Sequence, residues 1–254
     1  MKDKIVPVKN LQRLAEHGEM LRTRNPRTPG IGVVSGETGF GKSTGLTWYG
    51  VRKVRAIYVR AMELWTPSAM LEAIGDELGI TIGRNLAKAA QQVVGALVQQ
   101  NRMLIVDEAD YVVEKRRLIN TLRDIHDLAG TPLILVGMKE FQKKLRTALE
   151  QRQFANRVAF QLEFLPTDFD DTRLTAAELL EIDIDDELLR RVHDASDGNM
   201  RDIVVGLQRI ETHFRAKGAK KATAKEWGNR PLNLRDSGNG PAPRPTAPET
   251  RPTA

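Results

Sequence analysis

At 254 residues the chain is long enough to bury a full hydrophobic core, and 41% hydrophobic against 28% charged residues excludes wholesale disorder. With no cysteine and only four histidines, none at metal-ligand spacing, it offers no disulfide framework, no thiol nucleophile and no zinc site. The net charge of +6 is unevenly placed: residues 1–29 carry +4, residues 30–215 carry −3 and residues 216–254 carry +5, so the basic excess sits at the two ends.

In chain order, residues 1–29 read as a basic amphipathic helix, about Val8 to Thr23, and a linker through the breaker run Asn25-Pro26-Arg27-Thr28-Pro29-Gly30. A β-rich run, Ile31–Ser35, leads through a glycine-rich turn into a helix from Lys42. Further strands are expected at Ala56–Arg60, Met103–Asp107, Leu133–Gly137 and around Phe160–Leu162, with helices at Pro67–Leu78, Leu86–Asn101 and Glu114–Ala129. Continuous apolar strands alternating with helices predict an α/β fold, a parallel sheet covered by helices over residues 30–165. Residues 166–217 carry helical signals alone (Asp168–Leu180, Asp185–Ser196, Met200–Lys217), which predicts a small all-helical lid. From Gly218 the chain is basic, and from Gly228 it holds six of the twelve prolines, so residues 218–254 are expected to be a disordered tail. No stretch reaches the roughly 20 apolar residues of a membrane span, and the start has no signal-peptide core. A cytoplasmic protein is expected, in the host cytoplasm if phage-encoded.

Gly36-Glu37-Thr38-Gly39-Phe40-Gly41-Lys42-Ser43, followed by Thr44, matches G-x-x-x-x-G-K-[ST] between a strand and a helix. Such a loop turns its backbone N–H groups toward phosphate oxygens at a helix N-terminus; Lys42 reaches the β- and γ-phosphates and Ser43 offers its hydroxyl to Mg²⁺. Met103-Leu104-Ile105-Val106-Asp107-Glu108 delivers two carboxylates to the end of another strand, where ligands of α/β sheets bind. Asp107 is expected to hold Mg²⁺ through water, and Glu108 to polarise the attacking water. The cofactors implied are ATP and Mg²⁺. Arg152 and Arg157 precede the last strand, placed either as arginine fingers toward a neighbour's nucleotide or as ordinary surface arginines. Arg201, in Gly198-Asn199-Met200-Arg201, sits against the dipole at the start of a lid helix, which favours a role toward the γ-phosphate.

Together these motifs resemble an AAA+ P-loop ATPase. Within that superfamily Ala56–Arg60, Trp65–Gly79, Leu135-Val136-Gly137 and Asp197–Arg201 are similar to the transposition ATPases, the phage Mu B protein and the TnsC/TniB proteins. The resemblance covers about residues 5–215. It implies an ATPase of slow, regulatory turnover that binds duplex DNA without sequence preference, self-associates on it as a filament or ring, and delivers it to a DDE transposase that it activates. The sequence departs from the pattern at Gly137-Met138, where a polar phosphate-sensing residue is usual, and has no room before the first strand for the helix-turn-helix domain of the Mu protein. The other reading is a helicase loader or replication-initiation ATPase on the same core.

Candidate DNA contacts are Lys53 and Arg55 beside Arg52, Lys115-Arg116-Arg117, and Lys143 with Lys144 in the basic stretch from Lys139 to Arg146, although taken singly each reads more readily as a solvated helix face. Tail lysines 217, 220, 221 and 225 are candidates for DNA phosphate or for a transposase, and Trp227 for anchoring to a partner or a neighbouring subunit.

Overall fold

The computed structural model describes residues 1–148 and 156–232. Five runs rich in β-branched and aliphatic residues form one sheet: β1 (Ile31–Gly36), β2 (Ile57–Arg60), β3 (Leu104–Asp107), β4 (Leu133–Val136) and β5 (Val158–Phe164). Their order is β2-β3-β4-β1-β5 and every pairing is parallel. This is the covered parallel sheet expected from the sequence. The period of two sorts the central strands between two cores. Ile31, Val33, Leu104, Val106, Leu133 and Leu135 face one cluster, while Val34, Ile105, Ile134 and Val136 face the other.

The first face is closed by α3 (Pro67–Leu78), α4 (Leu86–Gln100), α6 (Arg116–Ala129) and α7 (Phe141–Ala148), with the four-residue α5 (Asp110–Val113) leading into α6. Helix α3 shows why these bounds are sharp. Thr66 accepts the Ala69 N–H as N-cap, Pro67 fills the first position, and Gly79 closes the helix in the left-handed conformation. The second face is covered by α1 (Lys9–Arg22), α2 (Lys42–Leu46) and a seven-residue π-helical segment, Thr47–Lys53, that continues α2. The sequence carries no signal for that π segment.

Helix α1 lies within the range read from the sequence, and the segment before and along it packs on the sheet. Val6, Val8, Leu11, Leu14 and Leu21 are buried in the same cluster as Val34, Leu46, Leu162 and Phe164. Buried Asn10 exchanges two hydrogen bonds with the Leu165 backbone, at 2.8 and 3.2 Å.

The lid comprises α8 (Phe169–Leu179), α9 (Asp186–Ser196) and α10 (Met200–Ala216) around Leu188, Val192, Ile203, Leu207 and Phe214. Two expectations change here. The lid is not all-helical: β6 (Asp183–Ile184) pairs in parallel with β7 (Lys221–Ala222). Nor does the chain leave the fold at Gly218, because β7, α11 (Ala224–Trp227) and Leu232 close the lid core. Trp227, considered a partner anchor, is buried against Phe214 and His213, and its Nε1–H donates to the Arg230 carbonyl at 3.0 Å. Asp185 joins the two parts, capping α9 through Leu188 N and accepting from Ala224 N. Basic composition and prolines dominate the tail as sequence, yet Ala222, Ala224, Trp227 and Leu232 dock its first part on the lid core.

Candidate nucleotide-binding site

The C-terminal ends of β1, β3 and β4 and the start of α10 surround a cavity of about 430 Å³. Thr38, Gly39, Phe40, Gly41, Lys42, Ser43 and Thr44 line it, with Asp107, Glu108 and Arg201. The sequence motifs therefore converge, as an open parallel sheet requires. Gly36 and Glu37 lead into the loop; Glu37 pairs with Lys139 at 3.5 Å.

Helix α2 begins after Gly41 with no side-chain cap, which leaves its first N–H groups and the positive end of its dipole for an anion. Lys42 folds back on the loop, Nζ donating to the Gly36 carbonyl at 2.6 Å and to that of Glu37 at 3.0 Å. Burial lowers its pKa, against the raising effect of Asp107, Glu108, Asp110 and Glu37. A bound triphosphate would add counter-charge to this half-buried ammonium.

Ser43 Oγ donates to Asp107 Oδ2 at 3.0 Å, and Tyr58 Oη donates to the same oxygen at 2.7 Å; the Glu108 N–H donates to Oδ1 at 2.9 Å. The Tyr58 phenol, pushed up by burial and by Asp107, stays protonated to make that bond. Among the described residues no cluster of three or more acidic or histidine side chains exists that would cage a metal. The adjacent Ser43 and Asp107 oxygens suit Mg²⁺, a hard ion that keeps waters and shares its remaining shell with nucleotide phosphates.

Glu108 is held in the left-handed region, φ 53°, an arrangement that costs a non-glycine residue about 1–3 kcal/mol. Its carboxylate meets Arg60 at 3.1 Å; the Arg60 side chain is 69% exposed and the Glu108 side chain 33%. The strand register makes the pair, since Arg60 lies opposite Asp107 across β2 and β3. Tyr58 and Arg60 escaped the sequence reading because their roles depend on this register.

At the end of β4 the absence of a polar residue now has a cause. A Cβ on Gly137 would overlap the Phe141 ring and the Asp110 carboxylate, whose Oδ2 accepts from Met138 N at 2.8 Å. Arg201 lines the cavity, with no side-chain partner among the described residues. Arg157 lies at the opposite edge of the sheet, gripped by Asp127 through two bonds of 2.6 Å. Arg152 is outside the described residues.

The DNA candidates divide. Lys115 donates to the Glu63 carbonyl and, at 3.4 Å, to that of Trp65, so it is used internally. Lys144 pairs with Glu114 at 2.7 Å and Lys53 lies 4.1 Å over the Trp48 ring. Lys143 is exposed, as are Arg116 and Arg117 at the start of α6. Arg55, with Lys53, sits before β2 at the edge away from the cavity. Among the described residues no helix is long and apolar enough to cross a membrane.

Residues 24–145 match the family model described as AAA domain. Comparison with curated proteins finds no match. Among solved structures the chain is similar to the Aeropyrum pernix ORC2 protein in its ADPNP-ADP complexes, at 16% identity over 89% of this chain and 68% of that one, TM-score 0.66. It is similar to the Aeropyrum pernix ORC1 protein in complex with DNA, at 18% identity over 87% and 63%, TM-score 0.61. Domain III of the Thermotoga maritima replication initiation protein DnaA gives 17% identity over 87% and 91%, TM-score 0.54. The chain thus spans about two thirds of the two ORC proteins. Its fold is that of the AAA+ P-loop proteins, and residues 24–145 carry the match to the AAA domain family.

Proposed function

We propose that this chain is an ATP-hydrolysing switch that binds duplex DNA without sequence preference, assembles with further copies on it, and delivers it to a DDE transposase in the cytoplasm. The convergence of Lys42, Ser43, Asp107, Glu108 and the lid's Arg201 on one cavity supports ATP control. In this reading the loop N–H groups and Lys42 bind the phosphates, Ser43 and Asp107 hold Mg²⁺, and Arg201 draws the lid toward the γ-phosphate. Glu108, once released from Arg60, orients the attacking water. Mg²⁺, when bound, offsets the charge of the phosphate oxygens. The choice of partner is supported by the resemblance read from Ala56–Arg60, Trp65–Gly79, Leu135-Val136-Gly137 and Asp197–Arg201 alone. Arg157 acts in trans only if a neighbouring subunit draws it from Asp127.

The likeness to ORC1 with DNA and to DnaA favours a second reading, a replication-initiation or helicase-loading ATPase. Sedimentation and electron microscopy with random-sequence duplex DNA test the first. Filaments or rings are expected with a non-hydrolysable ATP analogue, and none without nucleotide or with Lys42→Ala. Equal DNA binding without nucleotide would overturn ATP control. Co-purification with a replicative helicase rather than a transposase would favour the second.

A further inference from the structure

The lid touches the phosphate loop through one side chain whose two ends do different work. Asn199 precedes α10, and its Oδ1 accepts from Arg201 N at 3.1 Å and Asp202 N at 3.4 Å, an ordinary N-cap. Its Nδ2 donates to the Thr38 carbonyl at 2.9 Å, in the middle of the phosphate loop and far away in sequence. All three bonds are satisfied in only one orientation of the amide, since the oxygen must face the helix donors and the nitrogen the carbonyl. Beside it, Arg201 N also donates to the Gly39 carbonyl at 3.1 Å.

The space for this contact is prepared. Gly39 has φ +90°, and a Cβ there would overlap the Asn199 amide. Behind Asn199, the Gly198 carbonyl accepts from Thr167 N at 2.8 Å, which anchors the turn to the chain entering the lid. Because a trans peptide points its C=O and N–H in opposite directions, holding the Thr38 carbonyl on the lid fixes the Gly39 N–H to point away from it. A side chain that only capped α10 would need none of this.

We propose that Asn199 is a positioning residue that latches the lid to the phosphate loop, presetting the loop backbone for phosphate and coupling lid angle to loop conformation. The proposal rests on the nucleotide reading of the cavity and adds a coupling residue beside Arg201. Cap and latch separate by substitution. Asn199→Ser keeps a neutral capping oxygen but is too short to reach Thr38, and Asn199→Asp keeps the cap but has no N–H to donate.

The experiment measures ADP and ATP affinity by calorimetry, and amide hydrogen exchange with and without nucleotide, for wild type, Asn199→Ser and Asn199→Asp. Losing one hydrogen bond should weaken affinity about three- to tenfold in the serine protein. Exchange should speed by a similar factor in the peptides spanning 36–41 and 197–203, in the nucleotide-free protein, with the melting temperature nearly unchanged because the cap remains. Faster exchange in both variants supports the latch, whatever the added charge of aspartate does to affinity. Wild-type affinity and exchange in Asn199→Ser would overturn it. If wild type bound no nucleotide, the nucleotide reading would fall, while exchange in the free protein would still decide whether lid and loop are joined.

Discussion

The Arg60 guanidinium, 3.1 Å away, holds the Glu108 carboxylate that the proposed mechanism needs free to orient water. An exposed ion pair contributes little to stability, about 0–1 kcal/mol, so breaking it should be nearly silent in folding and visible in turnover. Arg60→Ala is expected to raise basal ATP hydrolysis several-fold at unchanged melting temperature, measured by phosphate release; unchanged or lower turnover would show that Arg60 does not restrain Glu108. Glu108→Gln should cut turnover by about 100-fold or more, the usual weight of a general base, while leaving ATP affinity within a factor of two or so. Retained turnover would assign the base elsewhere. Both acids were legible as residues because a strand ending in Asp-Glu after a phosphate loop is a local pattern. Arg60 was not, because its partner is set by the pairing of β2 with β3.

At the scale of elements, helix bounds are legible in the sequence where caps and apolar period agree, as in α3, and illegible where an element is too short to have a period. The pair β6 and β7 is two residues long on each side and is created by the lid packing around it. Trp227 makes this testable. Trp227→Ala should cost about 3–5 kcal/mol of lid stability and appear as a lower melting temperature in calorimetry; a change within 0.5 kcal/mol or so would mean that residues 219–232 do not hold the lid. Helix α6 supplies a pH-dependent element. Burial lowers the pKa of His126 from the ordinary 6.5, with Arg24 acting in the same sense and the Thr131 carbonyl, 2.6 Å from Nδ1, opposing. The folded state therefore binds fewer protons than the unfolded one, so this contribution is complete above pH 6.5 and declines as pH falls below it. Denaturation at a series of pH values from about 7 to 5 should show stability falling with pH, and less steeply in His126→Gln; identical slopes would place the dependence on other groups.

For the whole molecule, the basic N-terminal segment is not free: it is built into the fold. Lys4 pairs with Glu178 and Lys9 with Asp168, both on the lid, while Ile5, Val6 and Val8 line the nucleotide cavity. The first nine residues thus tie the lid to the sheet domain, and their charge is partly spent inside the fold. For the proposed DNA contact, the exposed Arg116 and Arg117 on the α/β body are the candidates that substitution tests. Arg116→Ala with Arg117→Ala should lower the salt slope of DNA binding by about 0.9 for each phosphate that is no longer neutralised, whereas Lys115→Ala should leave the slope almost unchanged. The reverse result would show that Lys115 abandons the Glu63 carbonyl for DNA.

The sequence by itself determined the parallel sheet, the phosphate loop and the acidic strand end, because each is written in a contiguous run whose apolar period or residue spacing has one physical meaning. Tertiary structure alone decided which groups those motifs face: Tyr58 on Asp107, Arg60 on Glu108, Asp127 on Arg157 and Asn199 on the Thr38 carbonyl. Each of these pairs joins residues at least 30 positions apart, and strand register and lid docking, which bring them together, leave no local trace in the chain. The net charge shows the same division, since the sequence counts the cations but only packing reveals which are already neutralised.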